Sequence, residues 1–233
     1  MTRLLVHVEG ETEETFVNRV LAPHLYRVGY SQVGARLMGN ARQRSGRGGG
    51  RAWSSVRQGI VNHLNADTGC IVSTMVDYYG LPQTGTRAWP KRVDSAQLPF
   101  PCKPVSVENA LHDDVIRQMG PGFNANRFVP FVMMHEFEAL LFSDCQRFAE
   151  GIGSGSERAR DFQHIRDQFD NPEHINDSPV TAPSKRILAL VPGYQKPLDG
   201  TNAALHVGLG AIRSQCPHFA DWLSRLERLP ETY

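Results

Sequence analysis

One pattern recurs in this chain and limits its folds more than any other: a short apolar run ends in an acid and turns at once into a helix. Leu4-Leu5-Val6-His7-Val8 is a β-rich run of the kind that makes a buried strand, and it stops at Glu9-Gly10-Glu11-Thr12-Glu13. Gly10 permits a sharp turn, Thr12 is a candidate cap, and Glu13 and Glu14 fall in the first turn of a helix with apolar Phe16, Val17, Val20 and Leu21. Cys70 to Val76 repeats the arrangement and delivers Asp77. Arg127 to Met134 repeats it again and leads into His135-Glu136-Phe137-Glu138. Strands that alternate with helices predict an α/β fold with a mostly parallel sheet. In such sheets ligands bind at the carboxyl ends of strands, which is where these acids fall.

Carboxylates converging on one edge point to a cation site. Each has a plainer reading. Acids in a first helical turn complement the helix dipole, aspartate is a good turn former, and His135 fits a core or orienting role as well as a ligand's.

Between Thr15 and Ala66 there is no Asp or Glu, while Arg19, Arg27, Arg36, Arg42, Arg44, Arg47, Arg51 and Arg57 all lie there. Four of these, Arg42, Arg44, Arg47 and Arg51, sit in a glycine-rich stretch from Gly39 to Arg51 that cannot pack by itself. Arginine forks match phosphate oxygens, so this loop is a candidate nucleic-acid contact as well as a solvated connection. The chain as a whole is close to neutral, at +1, so the positive charge is a matter of distribution.

The remaining chain reads as an irregular excursion from Pro82 to Pro104, a helix from about Val107 to Met119, and a flexible linker from Gly151 to Gly155. A charged helix from Glu157 to Phe169, a held-down loop from Asn171 to Pro179 and a helix opening at Thr181-Ala182-Pro183-Ser184-Lys185 follow. A loop from Lys196 to Asn202 precedes two closing helical patterns. Lys185 stands at a helix start, against the dipole preference, a local conflict typical of functional positions. With 233 residues the chain divides into an α/β core, 1–150, and a helical extension, 151–233, packed on it, with one compact domain as the default.

Cys70, Cys102, Cys145 and Cys216 show neither CxxC pairing nor zinc-ligand spacing. No apolar run reaches bilayer length and the chain begins directly with a strand, so the expected compartment is the cytoplasm. A Walker-type GxxxxGK[ST] loop is absent from the sequence, which argues against ATP hydrolysis by this polypeptide.

Four blocks in order, Val8-Glu9-Gly10-Glu11-Thr12-Glu13, Asp77-Tyr78-Tyr79-Gly80-Leu81-Pro82, His135 to Phe142 and Thr181 to Arg186, resemble the successive signatures of a bacterial family catalogued as DUF4276. That family is Toprim-like and linked to abortive-infection phage defence of the AbiL type. It resembles in turn the Toprim nuclease domains of overcoming-lysogenization-defect proteins. The resemblance implies a Toprim-like, Rossmann-like sheet and a site holding Mg²⁺ or Mn²⁺. By position, Glu9 and Glu13 match an ExxxE pair and Asp77 the first aspartate; Glu138 matches the later acid, Glu136 stands where a serine is common, and Lys185 is the matching lysine. Tyr79 replaces the second aspartate of the usual Asp-x-Asp.

The function implied is metal-dependent nucleic-acid cleavage in phage defence, with a separate ATPase partner of the SMC-like or AAA type and self-association left open. The rival is a catalytically degenerate module that binds nucleic acid or regulates such an ATPase.

Overall fold

The structure, a computed structural model, describes residues 1–38, 50–175 and 181–232. Strand β1 (Arg3–Val8) forms the centre of a sheet, paired in parallel with β2 (Gln32–Leu37) on one side and β3 (Cys70–Asp77) on the other. Beyond β3 lie β4 (Phe128–Val129) and β5 (Val132–Met133), also parallel to it, which gives the order β2-β1-β3-β4 with β5 continuing beside β3.

Period-two alternation explains why both faces are covered. On β3, Ile71 and Met75 enter one apolar cluster, while Cys70, Val72 and Val76 enter the other. Helix α3 (Trp53–Ala66) and α4 (Cys102–Met119) close the second face. The first face is closed by α1 (Glu11–Phe16) and α2 (Ala22–Arg27), together with the helices of the second half of the chain. These are α5 (Glu138–Leu141), α6 (Cys145–Gly151), α7 (Ser156–Arg166), α8 (Pro183–Leu190), α9 (Thr201–Gln215) and α10 (Pro217–Arg228). That first-face cluster runs from Leu4 to Leu226.

Two prolines shape the elements. The strand expected from Arg127 to Met134 is split into β4 and β5 at Pro130, which has no N–H for the ladder. Thr74 closes the gap: its hydroxyl donates to the Phe131 carbonyl and accepts the Phe131 N–H, both at 3.0 Å. Pro23, by contrast, does not end the first helix. A π-turn over Val17–Leu21, in which the Ala22 N–H reaches back to the Val17 carbonyl, carries the chain on into α2.

The expected linker after Gly151 is tightly packed at its start, because a Cβ on Gly151 would lie 2.7 Å from the Cα of Ala203. Among the described residues no helix is long and apolar enough to cross a membrane.

Candidate functional site at the carboxyl edge of the sheet

Parallel register puts the acids at one edge. Val8 lies beside Met75, so Glu9 emerges next to the last turns of β3; Asp77 ends β3 and pairs with Met133. From β5 the chain runs through His135, held at φ +67, into α5, which begins with Glu138. Glu13 enters from α1, one helical turn above Glu9.

The carboxylates are sunk into the protein. Glu138 is fully buried and Glu13 is 3 % exposed, values that unpaired carboxylates almost never reach. Room for them comes from missing side chains. A Cβ on Gly80 would sit 2.9 Å from Glu9 Oε2, and one on Gly10 would sit 2.8 Å from Glu13 Oε2. Asp77 Oδ1 accepts the Phe137 N–H at 3.0 Å, which fixes the approach of α5.

A lysine sits among these acids, and it comes from far along the chain. Lys196 Nζ is 2.8 Å from Glu138 Oε2 and 3.6 Å from Asp77 Oδ2. It stands at the start of a π-turn, Lys196–Gly200, that feeds α9. Its carbonyl accepts the Thr12 hydroxyl at 3.3 Å. Thr12 therefore braces the lysine turn and makes no side-chain cap; Gly10 occupies the N-cap of α1.

Charge in this cluster is out of balance. Burial, then the neighbouring Glu13 charge, pushes Glu9 up to about 7. Burial also lifts Asp77 well above the carboxylate range, with Glu9, Glu13 and Glu138 adding to the rise against the opposing Lys196 charge. Glu138 is raised by burial despite Lys196. For Lys196 burial disfavours the charge, and the Asp77 and Glu138 carboxylates outweigh it, so its pKa is well above normal. Glu9, Asp77 and Glu138 therefore hold their protons more tightly than ordinary carboxylates do. The Tyr194 hydroxyl, buried nearby without a hydrogen-bond partner among the described residues, is raised by the same burial and negative surroundings.

The other expected residues are placed as follows. Glu136 lies close enough to raise Glu138, but its Oε2 accepts the Ser184 N–H at 2.9 Å and so caps α8. Lys185 is exposed on the first turn of α8, and the lysine that reaches the acids is Lys196. The conflict with the helix dipole at Lys185 is thereby answered by the Glu136 carboxylate at the same helix start. Tyr79 packs its ring on His135, 5.2 Å between centroids.

Arg42, Arg44 and Arg47 lie outside the described residues. Arg51 is exposed, and its carbonyl accepts the Trp89 indole N–H at 2.7 Å. The described residues on either side of that stretch lie against Val8 and Gly80, chain neighbours of Glu9 and Tyr79. Met38 donates its N–H to the Val8 carbonyl at 2.9 Å, and a Cβ on Gly50 would lie 2.0 Å from the Gly80 carbonyl oxygen.

An all-oxygen donor set suits hard divalent cations. Glu138 Oε1 is buried with no hydrogen-bond partner among the described residues, an orphan of the sort a cation satisfies. In this conformation no three His, Cys, Asp or Glu side chains among the described residues form a metal-ligating group.

Sequence reasoning missed Lys196 and its Thr12 brace. The only local signal was a lysine held between Tyr194-Gln195 and a proline in a turn before a helix.

A family model described as Domain of unknown function (DUF4276) matches residues 8–227. No curated protein and no solved structure matches the chain.

Proposed function

This chain belongs to the DUF4276 family, and from the residues it gathers at one sheet edge we propose that it is a metal-dependent nuclease hydrolysing nucleic-acid phosphodiesters. The observation that carries the reading is the convergence of Glu9, Glu13, Asp77 and Glu138 around Lys196 at the carboxyl ends of parallel strands. Glu9, Glu13, Asp77 and Glu138, with Glu136 beside them, would hold Mg²⁺ or Mn²⁺. Such an ion, when bound, neutralises phosphate charge and lowers the pKa of a water.

The chain's own groups supply the rest. Glu9, lifted to about 7, would give up that proton on joining the cation's donor set. Lys196 places an ammonium where charge develops on a non-bridging or leaving oxygen. Arg42, Arg44, Arg47 and Arg51, from the acid-free arginine and glycine run of the sequence, supply phosphate contacts that no base sequence dictates. The Toprim likeness of the sequence blocks supports the same reading and adds phage defence, with a separate SMC-like or AAA-type ATPase as partner, since this sequence has no Walker loop.

A second reading has its own support. Lys196 already bridges two of the acids, and Tyr79 stands where a carboxylate is usual, both consistent with a degenerate module that binds nucleic acid and regulates a partner. Incubating purified protein with Mg²⁺ or Mn²⁺ and single- or double-stranded DNA and RNA separates the two. Cleavage that disappears in Glu9→Gln supports the nuclease; intact substrates together with no calorimetric metal binding support the module and defeat the nuclease.

A further inference from the structure

Beside the acids, across the Tyr79–His135 ring contact, lies a pocket of about 350 Å³ lined by the Leu98-Pro99-Phe100 run, Lys103, Met134, His135 and His174. It opens from the same strand end as the acid cluster, since Met134 and His135 directly follow β5, whose Met133 pairs with Asp77. The lining is of two kinds. Phe100, Leu98 and Met134 form apolar walls, and Phe100 meets the His174 ring edge-to-face at 4.7 Å between centroids. Two imidazoles and an ammonium add polar nitrogens: His135 is 4 % exposed and Lys103 is 6 % exposed.

His135 adopts φ +67, a left-handed conformation that costs energy in a residue with a Cβ. That conformation holds its ring between Tyr79 and the pocket.

A simple anion has no use for the apolar walls, and an aliphatic ligand has none for three nitrogens. A planar heterocycle with ring acceptors uses both, and the volume, at the lower end of small-ligand pockets, accommodates one nucleotide rather than a base pair. We propose that this pocket takes one unstacked nucleobase of a bound strand, packed against Phe100 with the His135 and His174 rings and the Lys103 ammonium along its polar edge. The inference rests on the nuclease reading only for the neighbouring phosphate, because base capture requires no cleavage. It makes single-stranded or frayed segments the preferred substrate.

The test uses the full chain in EDTA, so that binding is read apart from cleavage, with a short single strand carrying one fluorescent purine analogue, in DNA and RNA versions. Wild-type protein should quench the analogue in at least one version and bind the matching abasic strand about five- to a hundredfold more weakly. His174→Ala and Phe100→Leu should each lose most of the quench. Equal affinity for base-bearing and abasic strands, or an unchanged quench in a folded His174→Ala, would overturn the proposal, as would no binding of either version. Quenching without any metal-dependent cleavage would leave the pocket standing and remove the nuclease reading alone; cleavage without base dependence would do the reverse.

Discussion

Thr12 donates its hydroxyl to the carbonyl of Lys196 across 184 positions of sequence, and this one hydrogen bond couples the first helix to the turn that supplies the site's ammonium. The ammonium then meets Glu138, which the sheet delivers from β5 and α5. Three separate regions of the chain must therefore be folded before the carboxylates gain a positive neighbour.

Replacing Lys196 by Met tests that dependence. The variant leaves Asp77 and Glu138 without their cation, and the protein should lose about 1–3 kcal/mol, less than a fully buried pair costs because the lysine side chain is partly exposed. Divalent ions should then stabilise the variant more than the wild type, since no ammonium competes for the same oxygens. Thermal melts with and without Mg²⁺ measure this; equal metal-induced shifts in the two proteins would disprove the competition. Turnover should fall by about a hundredfold or more, whereas Lys185→Ala, at an exposed position, should stay near wild type.

The two glycines that make room for the carboxylates are a second handle. Gly80→Ala puts a methyl 2.9 Å from Glu9 Oε2, so the carboxylate must move, and misplacement of that order costs about a hundredfold in rate. Stability should change little, because the glutamate is the mobile partner. Gly50→Ala meets the Gly80 backbone at 2.0 Å, where nothing flexible can yield, and should destabilise the fold as well. Gly34→Ala, with open space at its Cβ, serves as the control in both assays.

Much of this architecture is legible locally. The strands announce themselves by β-rich runs; Glu9 and Asp77 stand at the ends of two of them and Glu138 opens the helix that follows a third, so chain order sends them to one edge. The run from Arg127 to Met134 reads as one strand straight through Pro130, so neither its break nor the Thr74 hydroxyl that repairs it is foreseen there. Lys196 has no such signature. Its place depends on how α9 packs against α1 and α5, a long-range outcome of the shared core, whereas Lys185 drew notice from a local charge conflict that Glu136 resolves at the helix start. Local rules identified the residues that strands position; those that tertiary packing positions were invisible to them.

Two buried histidines should shape the pH dependence of stability with opposite signs. His7, packed edge-to-face on His63, is lowered to about 3, chiefly by burial. The unfolded chain thus binds a proton that the folded chain refuses between about 6.5 and 3, and stability falls as pH drops through that window, by up to about 5 kcal/mol. His218 is raised: burial opposes its charge, but the hydrogen bond from its Nε2 to Glu108 Oε1 at 2.9 Å prevails. Its contribution is complete below about 6.5 and is lost as pH rises through its folded value. Chemical denaturation across pH should show the acid limb flattened in His7→Phe. Glu108→Gln keeps an acceptor for the Val132 N–H and should flatten the alkaline limb.

The raised carboxylates would make the proposed metal binding a proton-releasing event. Glu9, near 7, still carries a proton at mildly acidic pH, and burial and mutual repulsion raise Asp77 as well. A divalent ion binds only the deprotonated oxygens, so each ion bound must expel whatever protons the cluster holds. Calorimetry at pH 6 in buffers of different ionisation enthalpy should therefore report net proton release per Mg²⁺ or Mn²⁺, shrinking as pH rises through the Glu9 value of about 7, with about tenfold tighter binding one unit above it than one below. Glu9→Gln removes one of the titrating groups and should reduce the release. Heats that do not depend on the buffer would mean that the acids are already ionised, and that Lys196 balances them more completely than the geometry implies.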